Sequence, residues 1–224
     1  MPFPPCSSPS RRVLALLLEG TTELIEIAPA RGLAEPSAPS AAEAVAAAGF
    51  TTRADLGQYF LRHEDAALRL LASAAIPKGR PVLEVGAGLG TLSLAAASAG
   101  HPLWAVEKDD RLGAHLTGRL SGFGEGTRVT IADVRAVDLD GGLAAGTHLL
   151  AIMPFDADLS TALIRHVFTS LRVERGLVVI TRQTMAQLDE EGGGLRLEEV
   201  DGISRSDFWP SAPSVLRVVA IERG

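Results

Sequence analysis

From residue 56 onward, short apolar runs alternate with stretches of helical periodicity. "RPVLEVG" (80–86), "PLWAVE" (102–107), "RVTIAD" (128–133), "HLLAIM" (148–153) and "GLVVIT" (176–181) have strand length and apolar centres, which predicts buried strands. Between them, "HEDAALRLLASAAI" (63–76), "LSLAAASAG" (92–100) and "TALIRHVFTSL" (161–171) carry apolar residues at helical spacing, and Gly100 stops the second. Asp109 or Asp110 can cap a further helix. The tail reads "LRLEEV" (195–200) and "VLRVVAIE" (215–222), two strands joined by a loop with Pro210 and Pro213. Repeated strand–helix units that close on a strand pair predict an α/β fold. The expected form is a Rossmann-like, doubly wound, mainly parallel sheet with an antiparallel edge strand.

Ahead of this region the pattern weakens. "MPFPPCSSPS" reads as a flexible start, and residues 11–28 suit a helix interrupted by Gly20 and Thr21-Thr22. A Pro/Ala/Ser linker follows, and Ser40-Ala-Ala-Glu43 is a capping box that opens a short Ala-rich helix ending at Gly49. The expected division is an N-terminal appendage at 1–55 and a cofactor-binding domain at 56–224.

Composition narrows the function. With 46% hydrophobic and 21% charged residues, the chain can bury a globular core. Its net charge of −6 disfavours non-specific attraction to nucleic acid, and lysine occurs only at Lys78 and Lys108. A single cysteine, Cys6, leaves no intramolecular disulfide and no cysteine metal cluster. His63, His101, His115, His148 and His166 form no ligand-spaced pair, so no metal is expected. The apolar run "VLALLL" (13–18) is too short to span a membrane, and no cleavage site follows it promptly, which predicts a cytoplasmic protein.

Candidate chemistry gathers at the strand ends. Glu84-Val85-Gly86-Ala87-Gly88-Leu89-Gly90 lies where the first strand meets a helix, and small residues there let the backbone turn and approach a ligand. Glu107 ends the next strand, where a carboxylate can accept from two ribose hydroxyls. Asp133 ends the third, where it can accept from an adenine amino group. Helix capping or solvation is the plainer role for each acid taken singly; in sequence they favour a nucleoside cofactor.

These residues carry a family resemblance. "DLGQYFLRHEDAALRLLASA", "LEVGAGLGTL", "AVEKDD", "IADV", "IMPFDADLSTALIRHVF" and "SDFWPSAPSV" follow, in order over residues 55–222, the pattern of the ribosomal RNA adenine dimethylases and macrolide-resistance rRNA methyltransferases. The resemblance implies a class I methyltransferase fold with S-adenosylmethionine as cofactor. It places Gln58, Tyr59, Leu61, Glu84, Gly86, Gly88, Gly90, Glu107, Asp133 and Ile152 around that cofactor. It also implies that Pro154 shapes the acceptor turn and that Phe155 presents an aromatic face to the substrate. The chain departs from the pattern at Tyr59, where the family has Asn, and at His63, where it usually has Asp. Ile152 stands where a family Asn grips the target amine, and isoleucine offers neither donor nor acceptor. Asp156, and Asp158 beyond it, are candidate general bases for replacement chemistry; capping the helix near Ser160 is their plainer role. Trp209 in the proline loop is a candidate to touch substrate, whereas Trp104 belongs to a strand core. The family's helical domain after the last strand has no counterpart before Gly224, and "TRQTMAQLDEEGGG" is short and glycine-rich.

The expected function is therefore an enzyme: an S-adenosylmethionine-dependent methyltransferase acting on a small-molecule or peptide substrate in specialised metabolism. RNA is disfavoured as partner, no membrane is involved, and the N-terminal segment is a candidate homodimer contact. One alternative is an rRNA adenine N6-methyltransferase. Another is a non-methylating enzyme, such as a cyclase or isomerase, or a binding module on the same fold.

Overall fold

Four consecutive buried residues, Val82–Val85, form the strand around which the fold is organised. The structure is a computed structural model that describes residues 40–224 apart from 48, 50, 54, 55, 191 and 201. Its elements, in chain order, are α1 (Ala41–Ala47), β1 (Phe60–Leu61), α2 (Glu64–Ala74), β2 (Val82–Val85), α3 (Thr91–Ser98), β3 (Leu103–Glu107), α4 (Gly113–Leu120) and β4 (Thr127–Ile131). They continue with α5 (Leu139–Gly142), β5 (Thr147–Ile152), α6 (Ala157–Val167), β6 (Val173–Thr181), α7 (Arg182–Glu190), β7 (Leu195–Val200), β8 (Phe208–Trp209) and β9 (Leu216–Arg223).

A seven-stranded sheet runs in the order β4-β3-β2-β5-β6-β9-β7. Strands β4, β3, β2, β5 and β6 pair in parallel, while β9 lies antiparallel between β6 and the edge strand β7. Successive residues of a strand point to opposite faces, so β2 feeds two cores. Val82 packs with α2 and α3 through Leu70, Leu92 and Ala96. Leu83 and Val85 pack on the other side with Trp104, Ile164 and Val167. Because β2 has β3 on one flank and β5 on the other, the connections diverge at its carboxyl end and leave a crevice there.

The predicted strands all form, and the helices shift at their ends. Helix α2 stops at Ala74 because Ala75 takes a left-handed conformation at φ 47, ahead of Pro77. Helix α6 starts earlier than its apolar periodicity suggests, because the Asp156 side chain accepts from the Leu159 amide at 2.8 Å and caps it. The passage after β6 holds helix α7, followed by three glycines with positive φ. One pairing had no signal in the sequence: β1 and β8, two residues each, join Phe60 to Trp209 and Leu61 to Phe208. The Arg62 amide donates to the Asp207 carbonyl at 2.7 Å and the Arg69 guanidinium pairs with its carboxylate at 2.7 Å, which binds this small sheet to α2.

One compact unit runs from Ala38 to Gly224 and includes α1, on the amino side of the boundary expected between residues 55 and 56. The capping box forms, with the Ser40 amide donating to Glu43 at 2.8 Å. The helix expected at 11–28, the linker after it and Cys6 lie outside the described residues. Among the described residues, no helix is long and apolar enough to cross a membrane.

Candidate functional site

The crevice beyond β2 opens into a cleft of about 230 Å³. Its floor is the turn from β2 to α3, where Gly86, Gly88 and Gly90 all take positive φ. A Cβ added at Gly88 would lie 3.1 Å from the Phe60 ring, so this loop is thin because a neighbour already fills the space behind it.

Two hydrogen bonds fix Glu107 over that loop. The Gly88 amide donates to Oε2 at 2.7 Å and the Asp109 amide to Oε1 at 2.8 Å. A carboxylate offers about four acceptor positions, so these two bonds leave capacity for a ligand. Burial pushes the Glu107 pKa up, and the amides of Asp109, Gly88 and Lys108 oppose that by favouring the ionised form. Glu84, deeper in the cleft, accepts from the Ser93 hydroxyl. Its pKa is pushed up to about 8 by burial first, against the Ser93 bond and with added repulsion from Glu107.

Asp133 sits in the opposite electrostatic setting. Its Oδ1 accepts from the Arg135 amide at 3.0 Å and from Arg135 Nε at 2.9 Å. Its Oδ2 accepts from Arg135 Nη2 at 2.6 Å and pairs with Lys108 Nζ at 3.1 Å. These bonds, the Arg135 side chain first, hold its carboxyl far below the usual range. Asp109 repeats the device, taking the Arg111 amide and guanidinium, which lowers its pKa to about 2. Arg135 and Lys108 line the cleft and were not singled out by the sequence reading, nor was Arg111, which acts on the site through Asp109. The signal of the two arginines was visible, because Asp109/Arg111 and Asp133/Arg135 share an Asp-x-Arg spacing directly after a strand.

The lead-in segment closes one side of the cleft. Gln58 is buried, its amide nitrogen donating to Asp109 and its oxygen accepting from the Arg53 amide at 2.8 Å. Leu61 is buried in the core beside α2. Gly57, at φ 65, presses its backbone against the acceptor turn: an added Cβ would lie 2.8 Å from Pro154 Cα. The Tyr59 and Phe155 rings meet edge to face, with centroids 4.5 Å apart at 76°.

The turn after β5 carries Ile152 to Asp156. The Met153 amide donates to the Val179 carbonyl at 2.9 Å, and the Ser160 hydroxyl donates to the Pro154 carbonyl at 2.6 Å, so the turn is tied to β6 and α6. Of the residues expected in the site, Gln58, Tyr59, Leu61, Glu84, Gly86 and Gly88 line the cleft, as do Glu107, Asp133, Ile152 and Pro154. Gly90, Phe155 and Asp156 do not. Gly90 packs behind the loop, where its Cβ would meet Leu116 at 2.7 Å. Phe155 reaches the site through Tyr59. Asp156 is occupied as the α6 cap, and Asp158 accepts from Gln187 Nε2 at 2.7 Å. Trp209 packs instead beside Phe60 and α1, and Trp104 is a buried strand residue whose indole N–H donates to Thr130 at 2.9 Å. Among the described residues, no group of His, Cys, Asp and Glu is arranged to hold a metal.

The chain is similar to proteins of known family. A family model described as ribosomal RNA adenine dimethylase matches residues 49–192. A ribosomal RNA small subunit methyltransferase A of Mycobacterium bovis is 29% identical over 78% of this chain and 60% of its own length. Its counterpart in Opitutus terrae is 42% identical over 38% of this chain and 31% of its own length. The chain thus spans less than two thirds of these curated relatives. Among solved structures, the 23S rRNA methyltransferase ErmE superposes with a TM-score of 0.62 at 20% identity, over 74% of this chain and 70% of that one, a likeness of fold. The names of the family and of the curated relatives overturn the expectation of a small-molecule or peptide partner with RNA disfavoured. That expectation leaned on Ile152 in place of the family Asn, on the short region after the fifth predicted strand, and on a net charge of −6, which is a sum over the whole chain, whereas phosphate contact depends on the local field at one face.

Proposed function

This chain belongs to the ribosomal RNA adenine dimethylase family, and on that premise we propose that it is an S-adenosylmethionine-dependent rRNA adenine N6-methyltransferase. The observation that carries the proposal is the Glu107 carboxylate, held by the Gly88 and Asp109 amides in the crevice of a parallel sheet with acceptor capacity to spare. That geometry suits a ribose diol, and the thin glycine loop beside it suits the close approach of a nucleoside's remaining length. Residues 56–224 supply the whole cleft in this reading.

When bound, S-adenosylmethionine supplies an electrophilic methyl: an N–C bond forms as the S–C bond breaks, the electron pair returns to sulfur, and the amine proton passes to water. The protein's part is positioning, since bringing nitrogen and methyl into line accounts for much of such a barrier. Glu107 and the glycine loop fix the nucleoside. The turn at Ile152–Pro154, tied to Val179 and Ser160, fixes the wall at which the acceptor is presented. The lining there, with Leu159 and Leu163, is apolar.

The test is transfer of labelled methyl from S-adenosylmethionine to small- and large-subunit rRNA fragments, with the RNA digested and separated afterwards. N6-methylated adenosine in the digest is the expected result. Tight cofactor binding with no methylated adenosine in either RNA would overturn the assignment.

A further inference from the structure

Methyl transfer to an amine requires the nitrogen lone pair to face the methyl, so at least one N–H must be held by an acceptor. At the acceptor end of the cleft the side chains of Leu56, Ile152, Met153, Pro154, Leu159 and Leu163 offer no such acceptor. Gln58 lines this end too, but Arg53 and Asp109 already engage its amide. The side chain left with a polar atom is Tyr59, and among the described residues its hydroxyl has no hydrogen-bond partner.

Tyr59 is held in place by the segment around it. Its neighbours are docked one by one. Gly57 packs against the Pro154 backbone, closely enough that a Cβ would collide, and Gln58 is buried and hydrogen-bonded to Asp109. Phe60 covers the glycine loop, and Leu61 pairs with Phe208. The Tyr59 ring itself meets Phe155 edge to face at 4.5 Å, against the very turn that carries Ile152.

We propose that the Tyr59 hydroxyl, held at the acceptor end by its contact with Phe155, accepts an N–H of the substrate's exocyclic amine and provides the orientation that the Ile152 side chain cannot. Tyr59 is then a substrate-contacting residue that determines specificity for an amine. After transfer the nitrogen's proton leaves to water, and the phenol is unchanged. This inference rests on the methyltransferase reading above, and the experiment separates the two.

Methyl transfer to rRNA fragments would be followed for the full chain as wild type, Tyr59→Phe, Ile152→Asn and the double variant, with cofactor binding measured calorimetrically in parallel. Tyr59→Phe keeps the ring on Phe155 and removes only the hydroxyl. The expected result is a cofactor Kd within about twofold of wild type, a kcat lower by about tenfold and little change in KM. Adding Ile152→Asn to Tyr59→Phe should restore most of the rate, because an amide oxygen then returns to the same wall. A Tyr59→Phe protein as fast as wild type overturns the inference and leaves the methyltransferase assignment standing. So does a slow one whose cofactor Kd weakens in proportion, which assigns Tyr59 to the cofactor, or one that Ile152→Asn fails to restore, which assigns it to packing. A folded wild-type protein that methylates no RNA removes the assignment, and this inference with it.

Discussion

Glu107, the last residue of β3, and Asp133, two residues past the end of β4, look alike in sequence, yet the fold gives them opposite settings. Glu107 is buried, touched by backbone amides and raised in pKa. Asp133 is wrapped by Arg135 and Lys108 and held as a firm anion. A buried carboxylate with amide donors has fixed geometry and spare acceptor capacity. One chelated by guanidinium and ammonium groups has its oxygens already engaged. The two ends of the cleft are therefore prepared unequally, the Glu107 end with acceptor positions open and the Asp133 end closed by an ion pair.

The largest effect should come from Glu107→Gln. An amide of the same shape cannot reproduce two charge-assisted contacts, so S-adenosylmethionine should bind about 100-fold more weakly by calorimetry. Glu84 sharpens the contrast through pH. Its carboxyl titrates near 4.5 when unfolded and about 8 when folded, so the native state keeps a proton that the unfolded chain has lost. Native stability should accordingly fall as pH rises between those values. Glu84→Gln, neutral throughout, should flatten that slope in urea melts and exceed wild type at pH 8 by a few kcal/mol, on the order of the linkage energy.

Asp133→Asn should cost less than Glu107→Gln, roughly threefold in cofactor affinity, because the oxygens it alters already face Arg135 and Lys108. A loss as large as that at Glu107 would show that these cations swing away on binding and would end the distinction. The smallest effect is expected at Arg135→Ala. Removing a half-exposed guanidinium takes one donor from each Asp133 oxygen, leaving the backbone amide and Lys108, and should tighten cofactor binding by about two- to fivefold, on the scale of a surface ion pair. Weaker binding would instead place Arg135 itself against the ligand.

Much of the cleft was legible before any coordinates. The strand runs, the glycine turn and the acids at the ends of β3 and β4 are local signals, set by period and by the backbone freedom of glycine. They located Glu84, Gly86, Gly88, Glu107 and Asp133, while the family resemblance added Gln58, Tyr59, Leu61, Ile152 and Pro154, and the structure brings all of these to the cleft. What the sequence reading overlooked lies in pairwise geometry. Arg111 and Arg135 close their guanidiniums on the acids two positions earlier, a contact that depends on how each loop folds back. The candidate base Asp156 is engaged in capping α6, because its place just before the helix mattered more than its nearness in sequence to Phe155.

The sequence by itself determined the order of strands and helices, the crevice at the carboxyl end of β2, and the family, because these depend on residue periodicity and short motifs. The tertiary structure alone decided how the acceptor end is built. Residues 57–61 meet the turn at 152–155 and the strand at 208–209 across long stretches of chain, and only folding places the Tyr59 ring against Phe155 and Gly57 against Pro154. Such contacts follow from packing between segments distant in the chain, which no local pattern encodes.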